Sequence, residues 1–166
     1  MPRKKSLLVV LVGGGLAALA LTVAACGGDS NKENATQQGS ASSTSSTVNV
    51  RLSEWSIVPD KASVLAGRVT FNARNDSKGD HEHEMVVVRT DLDPSALPVA
   101  EGEVDENQIQ VIGEIEGIAP GATGSVTLDL QPGKYVLICN LVEQGADGNV
   151  DRHYQFGMRT AFEVTA

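Results

Sequence analysis

Beyond residue 47 the hydrophobic pattern has a period of two. Val48, Val50 and Leu52 alternate with Asn49, Arg51 and Ser53, Val126, Leu128 and Leu130 alternate with Thr127 and Asp129, and Phe162 and Val164 flank Glu163. Such alternation predicts half-buried antiparallel strands. Residues 69–73, 85–89, 111–118, 135–139 and 160–165 are further predicted strands. Pro132-Gly133 suits a tight hairpin turn between two of these runs. Asp93-Pro94-Ser95-Ala96-Leu97 suits the capped start of a short helix, and no long helical period occurs. Short strands with turn signals between them predict an all-β sandwich, and residues 48–166 are long enough for one domain with its own core.

The first 47 residues read differently. Arg3, Lys4 and Lys5 precede an 18-residue apolar run from Leu7 to Ala24. A charged start, an apolar middle and small residues before a cut point are the marks of a signal peptide, here residues 1–25. The run is also just long enough for a marginal membrane-spanning helix, the competing reading. Its ending, Val23-Ala24-Ala25-Cys26, resembles the bacterial lipobox, which implies that Cys26 is lipidated and becomes the first mature residue. Either reading places the remainder outside the cytoplasm, on the outer face of a cell membrane or in a periplasm. Residues 26–47 hold almost no large apolar side chain and are expected to form a flexible, lipidated tether. Its Gly/Ser-type composition gives a root-mean-square reach of roughly 25 Å. Asn34-Ala35-Thr36 and Asn75-Asp76-Ser77 match the glycosylation sequon, but a lipobox implies a bacterium, so both are read as chance matches.

Charge narrows the partners. The chain carries 13 Lys+Arg and 21 Asp+Glu, and loss of the leader removes three cations and no anions, leaving 10 against 21, a net −11. A chain this acidic repels nucleic acid and anionic lipid surfaces, which excludes nucleic-acid binding.

The candidate chemistry lies near the C-terminus. With Cys26 committed to lipid, Cys139 has no cysteine to pair with, and an exported domain leaves few thiols unpaired without a reason. It ends the strand-like run KYVLIC, ahead of RHYQFGM with His153 and Met158. The other two histidines, His81 and His83, sit in DHEHEM, which opens the predicted strand 85–89. Strand ends of a sandwich bring such segments together. Thiolate, imidazole and a weak axial thioether form a ligand set that suits copper. Taken singly, each residue has a plainer reading: Cys139 as a small buried hydrophobe, Met158 as core, His81 and His83 as a solvated acidic loop. The two histidines do not form the HExxH zinc motif.

In order along the chain, VNVRLSEWSIVP, AGRVTFNARN, HEMVVV, PGKYVLICN, HYQFGM and TAFEV resemble the cupredoxins, the plastocyanin-like blue copper domains. The resemblance covers nearly all of residues 48–166. It implies a Greek-key β-sandwich holding one mononuclear type 1 copper ion, with His83, Cys139, His153 and Met158 as ligands and His81 as the alternative to His83. Two departures stand out. Thirteen residues, 140–152, separate Cys139 from His153 where cupredoxins usually have a few, with 145–149 resembling an inserted turn. Glu84 stands where many members carry Asn, which bears on the hydrogen bonds around the ligands and on the reduction potential.

The resemblance implies an electron carrier rather than an enzyme: a membrane-tethered blue copper protein passing single electrons between redox proteins of the cell envelope. The alternatives are a copper-binding or delivery protein of the envelope, and a cupredoxin-fold module that has lost its metal.

Overall fold

The computed structural model describes residues 45–145 and 148–166. The leader 1–25, Cys26 and the tether up to residue 44 lie outside the described residues, as do 146 and 147 of the insertion.

The strands are β1 (Ser45–Ser53), β2 (Ser56–Pro59), β3 (Ser63–Leu65), β4 (Gly67–Asn75), β5 (His83–Arg89), β6 (Val99–Ala100), β7 (Glu103–Val104), β8 (Gln110–Ile118), β9 (Thr123–Leu130), β10 (Gly133–Ile138), β11 (Val142–Gln144), β12 (Val150–Arg152) and β13 (Arg159–Thr165). A 3₁₀ turn covers Glu106–Gln108, and a one-turn helix, α1, covers His153–Phe156. Two sheets form the sandwich, one ordered β2-β1-β4-β9 and the other β3-β13-β10-β5-β8. Every strand predicted from the period-two pattern is present, while the short strands β2, β3, β6, β7, β11 and β12 carry too few residues to show a period.

Four expectations need correction. The strands are not all antiparallel: β1 pairs with β4 in parallel, and so does β13 with β3. Parallel neighbours need a crossover, and the detour through β2 and β3 supplies it for β1 and β4. Pro132-Gly133 is not a hairpin turn, because β9 pairs with β4 while β10 pairs with β13 and β5, so the chain changes sheets there. Residues 93–97 form a turn and not a helix start, with Asp93 Oδ1 accepting from the Ser95 N–H at 2.8 Å and Asp93 O from the Ala96 N–H at 2.9 Å. Strand β1 also begins at Ser45, three residues inside the expected tether, where Ser45, Ser46 and Thr47 pair with Arg68, Val69 and Thr70.

Alternation decides what faces the core. Val48, Val50 and Leu52 from β1, Val69, Phe71 and Ala73 from β4, and Tyr135 and Leu137 from β10 are buried between the sheets with Phe162 and Val164 from β13. Phe71 and Phe162 meet edge to face across the layers with centroids 5.4 Å apart, a favourable aromatic geometry. Strands β5 and β10 are buried on both faces. Their outward residues Val86, Val88, Val136 and Ile138 pack under Leu97, Val104 and Tyr154, so the segment between β5 and β8 caps the sheet.

The sandwich closes where edge strands β8 and β9 approach each other. A Cβ on Gly124 would stand 2.2 Å from Ile115 Cγ2, and one on Gly113 would stand 2.5 Å from Leu128 Cδ2. Each glycine receives a branched side chain from the opposite sheet. Gly124→Ala should therefore destabilise the domain by about 1–3 kcal/mol, the usual cost of overpacking, as measured by urea unfolding.

Candidate metal centre

Strand order brings the candidate residues together. In the sequence β13-β10-β5, Cys139 follows the end of β10, His83 opens β5, and His153 and Met158 directly precede β13. All four are completely buried.

The donor atoms converge. Cys139 Sγ lies 3.3 Å from His153 Nδ1 and 3.9 Å from His83 Nδ1, and the two Nδ1 atoms are 3.2 Å apart. A first-row ion bound trigonally at about 2.0–2.3 Å needs nitrogen and sulfur donors roughly 3.5–3.8 Å apart. The cluster fits such an ion with little movement. Met158 is buried in the same core as Cys139, and its carbonyl accepts from the Cys139 N–H at 3.0 Å. Two imidazoles and a cysteine sulfur, with a methionine buried in the same core, are the residue types of a type 1 copper donor set.

Local structure holds each donor. Within the insertion, β11 and β12 pair antiparallel, with Val142 opposite Arg152 and the His153 N–H donating to Leu141 O at 3.1 Å. The ends of the thirteen-residue excursion thus lie side by side, which returns His153 beside Cys139. Helix α1 then makes one turn and stops at Gly157, whose φ of 126° lies in the region that glycine alone enters readily. The Gly157 and Met158 N–H groups close that turn on Tyr154 O and His153 O, directing Met158 back into the core.

A register shift between β5 and β8 falls between His83 and Met85. Bulges re-aim backbone groups, and here the Glu84 N–H points at Cys139 Sγ at 3.4 Å. The Glu84 carboxylate accepts from the Asn140 N–H at 2.9 Å, which ties the segment that carries His83 to the one that carries Cys139. Around the histidines, His83 Nε2 meets Ser77 Oγ at 2.8 Å, and His153 Nε2 meets Glu143 Oε1 at 3.1 Å. Outer contacts on the second ring nitrogen fix which nitrogen faces a metal. Trp55 packs on His153 with centroids 4.8 Å apart.

His81 sits elsewhere. Its Nδ1 bonds Glu143 Oε1 at 2.8 Å, its ring packs on Trp55, and it joins the second, more open group of His81, Glu143 and His153. Between the two upstream histidines, the geometry puts His83 with Cys139.

Ser77, Trp55, Glu143 and Asn75 were missed as site residues. Asn75 is buried and donates to His81 O and Ile118 O, bracing the loop that carries Ser77 and leads to His83. Trp55, the single tryptophan, offered a compositional hint. Asn75 and Ser77 were visible only as a sequon, and Glu143 only as one acid among many.

Burial sets the electrostatics. It pushes the Cys139 thiol up to about 12 and, helped by the neighbouring His153, pulls His83 down to about 4. His153 is also lowered by burial, against the opposing pull of Glu143. His81 is raised, chiefly by its hydrogen bond to Glu143. Without a cation, the cluster is a protonated thiol between two neutral imidazoles, a poor nucleophile with its lone pairs turned inward. Desolvation raises Glu84 to about 7.

No known family profile matches the sequence, and no curated protein matches it significantly. Solved structures do match. Auracyanin B superposes with a TM-score of 0.50 at 21% identity, covering 73% of this chain and 89% of that one. Auracyanin from the photosynthetic bacterium Roseiflexus castenholzii, in a dithionite-reduced form, gives 0.49 at 19% identity over 75% and 98%. Auracyanin A, a "blue" copper protein from the green thermophilic photosynthetic bacterium Chloroflexus aurantiacus, gives 0.47 at 20% identity over 74% and 100%. The fold is that of the cupredoxins.

Glu84 provides a test of the electrostatics. A carboxyl whose folded pKa is raised to about 7 stabilises the fold only while protonated, so its contribution is lost as pH climbs from the unfolded value of 4.5 through 7. Glu84→Gln keeps an oxygen for the Asn140 N–H and removes the titration. The stability of the metal-free variant relative to wild type should rise by about 1–3 kcal/mol between pH 4.5 and pH 7.5, read by urea unfolding.

Proposed function

We propose that this protein is an extracytoplasmic, lipid-anchored blue copper protein that carries one electron at a time between redox proteins of the cell envelope. The observation that carries this reading is the buried convergence of Cys139 Sγ with the Nδ1 atoms of His83 and His153. These four residues would hold the ion, and Cys26 would carry the lipid. Bound copper would supply one-electron chemistry, alternating between Cu(II), which imidazole accepts, and Cu(I), which thiolate and thioether favour.

The protein's own contribution is rigidity and exclusion of water. Cys139 is held through its N–H by Met158 O and through its sulfur by the Glu84 N–H, while both imidazoles are locked at the nitrogen facing away from the cluster. Donors held this firmly resist rearrangement when the charge between them changes. Full burial leaves no side for substrate to approach, which favours a carrier over an enzyme. It also disfavours delivery, which needs ligands that an acceptor can reach.

Loading the protein with Cu(II) should give one ion per chain and an intense visible band from the thiolate, bleached reversibly by a reductant. Cys139→Ala should abolish the band. His83→Ala and His153→Ala should each weaken copper by more than about 100-fold, beyond the loss that outer contacts cause. Stoichiometric binding without reversible bleaching would favour delivery instead, and absence of binding would favour a module that has lost its metal. The raised thiol adds a further expectation: each ion must displace the Cys139 proton, so apparent affinity should rise about tenfold per pH unit between pH 7 and 9. Calorimetry in buffers of different ionisation enthalpy measures that proton.

A further inference from the structure

The inserted hairpin does more than return His153 to the cluster. Glu143, the middle residue of β11, extends its carboxylate over the outer edge of the His153 ring. One oxygen, Oε1, lies 3.1 Å from His153 Nε2 and 2.8 Å from His81 Nδ1. The outer side of this arrangement opens on a small polar cleft lined by Asp80, His81, Glu143, Gln144 and Gly145. His153 itself is wholly buried, capped by Glu143 on one side and Trp55 on the other.

An ionised carboxylate only accepts hydrogen bonds, so the His153 nitrogen facing it must carry the ring proton. That leaves the Nδ1 lone pair free, turned toward Cys139 Sγ and His83 Nδ1. A carboxylate on the far nitrogen also makes an imidazole a more basic ligand. Its negative charge stabilises the more highly charged oxidation state of whatever the ring ligates.

We propose that Glu143 is a positioning residue of the metal centre, fixing His153 with Nδ1 as its ligand atom and lowering the reduction potential by favouring Cu(II) over Cu(I). The inference rests on the copper reading above, and it assigns the insertion a role: it supplies the acid. His81 holds that acid in place from the solvent side.

Two measurements on the full chain test it. In the copper-free protein, nitrogen-detected NMR of the histidine rings should place the His153 proton on Nε2; a proton on Nδ1 would overturn the proposal. In the copper-loaded protein, Glu143→Gln preserves shape and an acceptor oxygen while removing the charge. Its Cu(II) affinity should fall about tenfold with Cu(I) affinity unchanged. For a one-electron couple that tenfold difference raises the potential by about 59 mV. Gln144→Ala, a change in the same hairpin away from the His153 ring, should leave the potential where it was. A potential unchanged in Glu143→Gln would overturn the proposal, as would a second metal ion per wild-type chain that this variant loses, since Glu143 would then be a ligand. If wild type takes up no copper, the functional reading fails separately, and the ring tautomer alone decides whether Glu143 positions His153.

Discussion

The site depends on one constraint: β10 lies between β13 and β5 in the same sheet. Backbone ladders hold neighbouring strands about 4.8 Å apart. Residues at adjoining strand ends on one face are thus delivered within reach of a common point. Cys139 continues the β10–β13 ladder through its bond to Met158 O, and His83 begins the strand on the other side. The sandwich core beneath, from Phe71 and Phe162 to Leu137, keeps these strand ends in register. A slip of one residue in β10 would turn Cys139 toward the outer layer and leave both histidines buried without it.

Buried polarity is the cost of this arrangement. Two imidazoles and a thiol without water are stable only if each is bonded, and here each is. The supporting groups come from separate parts of the chain: Ser77 from the loop after β4, Glu84 from a bulge in β5, Glu143 from the insertion. Glu84 shows how a substitution can preserve geometry and change energetics. It ties Asn140 as a neutral side chain could, yet it places a desolvated acid beside Cys139. Acid and thiol are therefore coupled through the same few ångströms.

Much of the fold was legible because alternation over five or more residues carries the face that must be buried. Strands β1, β4, β9 and β13 show it, while β5 and β10, buried on both faces, read instead as short apolar runs. Pairing was not legible, since the same alternation suits a hairpin or a change of sheet. Pro132-Gly133 reads identically in either case, and only the packing of β9 on β4 and of β10 on β13 and β5 decides between them. Residues 93–97 illustrate the opposite limit, where a local Asp-Ser bond satisfies the backbone as a turn before a helix can start.

By itself, the sequence determined the chemistry that could be assembled: a thiol at the end of a strand, three histidines in two segments, a methionine after a short spacing, and strands to carry them. Tertiary structure decided which atoms meet. His83 and His81 differ by two positions and share a local pattern, yet one is enclosed with Cys139 and the other lies against Glu143. The length of the 140–152 segment said nothing of where it ends; the β11–β12 pairing brings its two ends side by side. That choice depends on long-range hydrogen bonds and packing, which residue order along the chain does not encode locally.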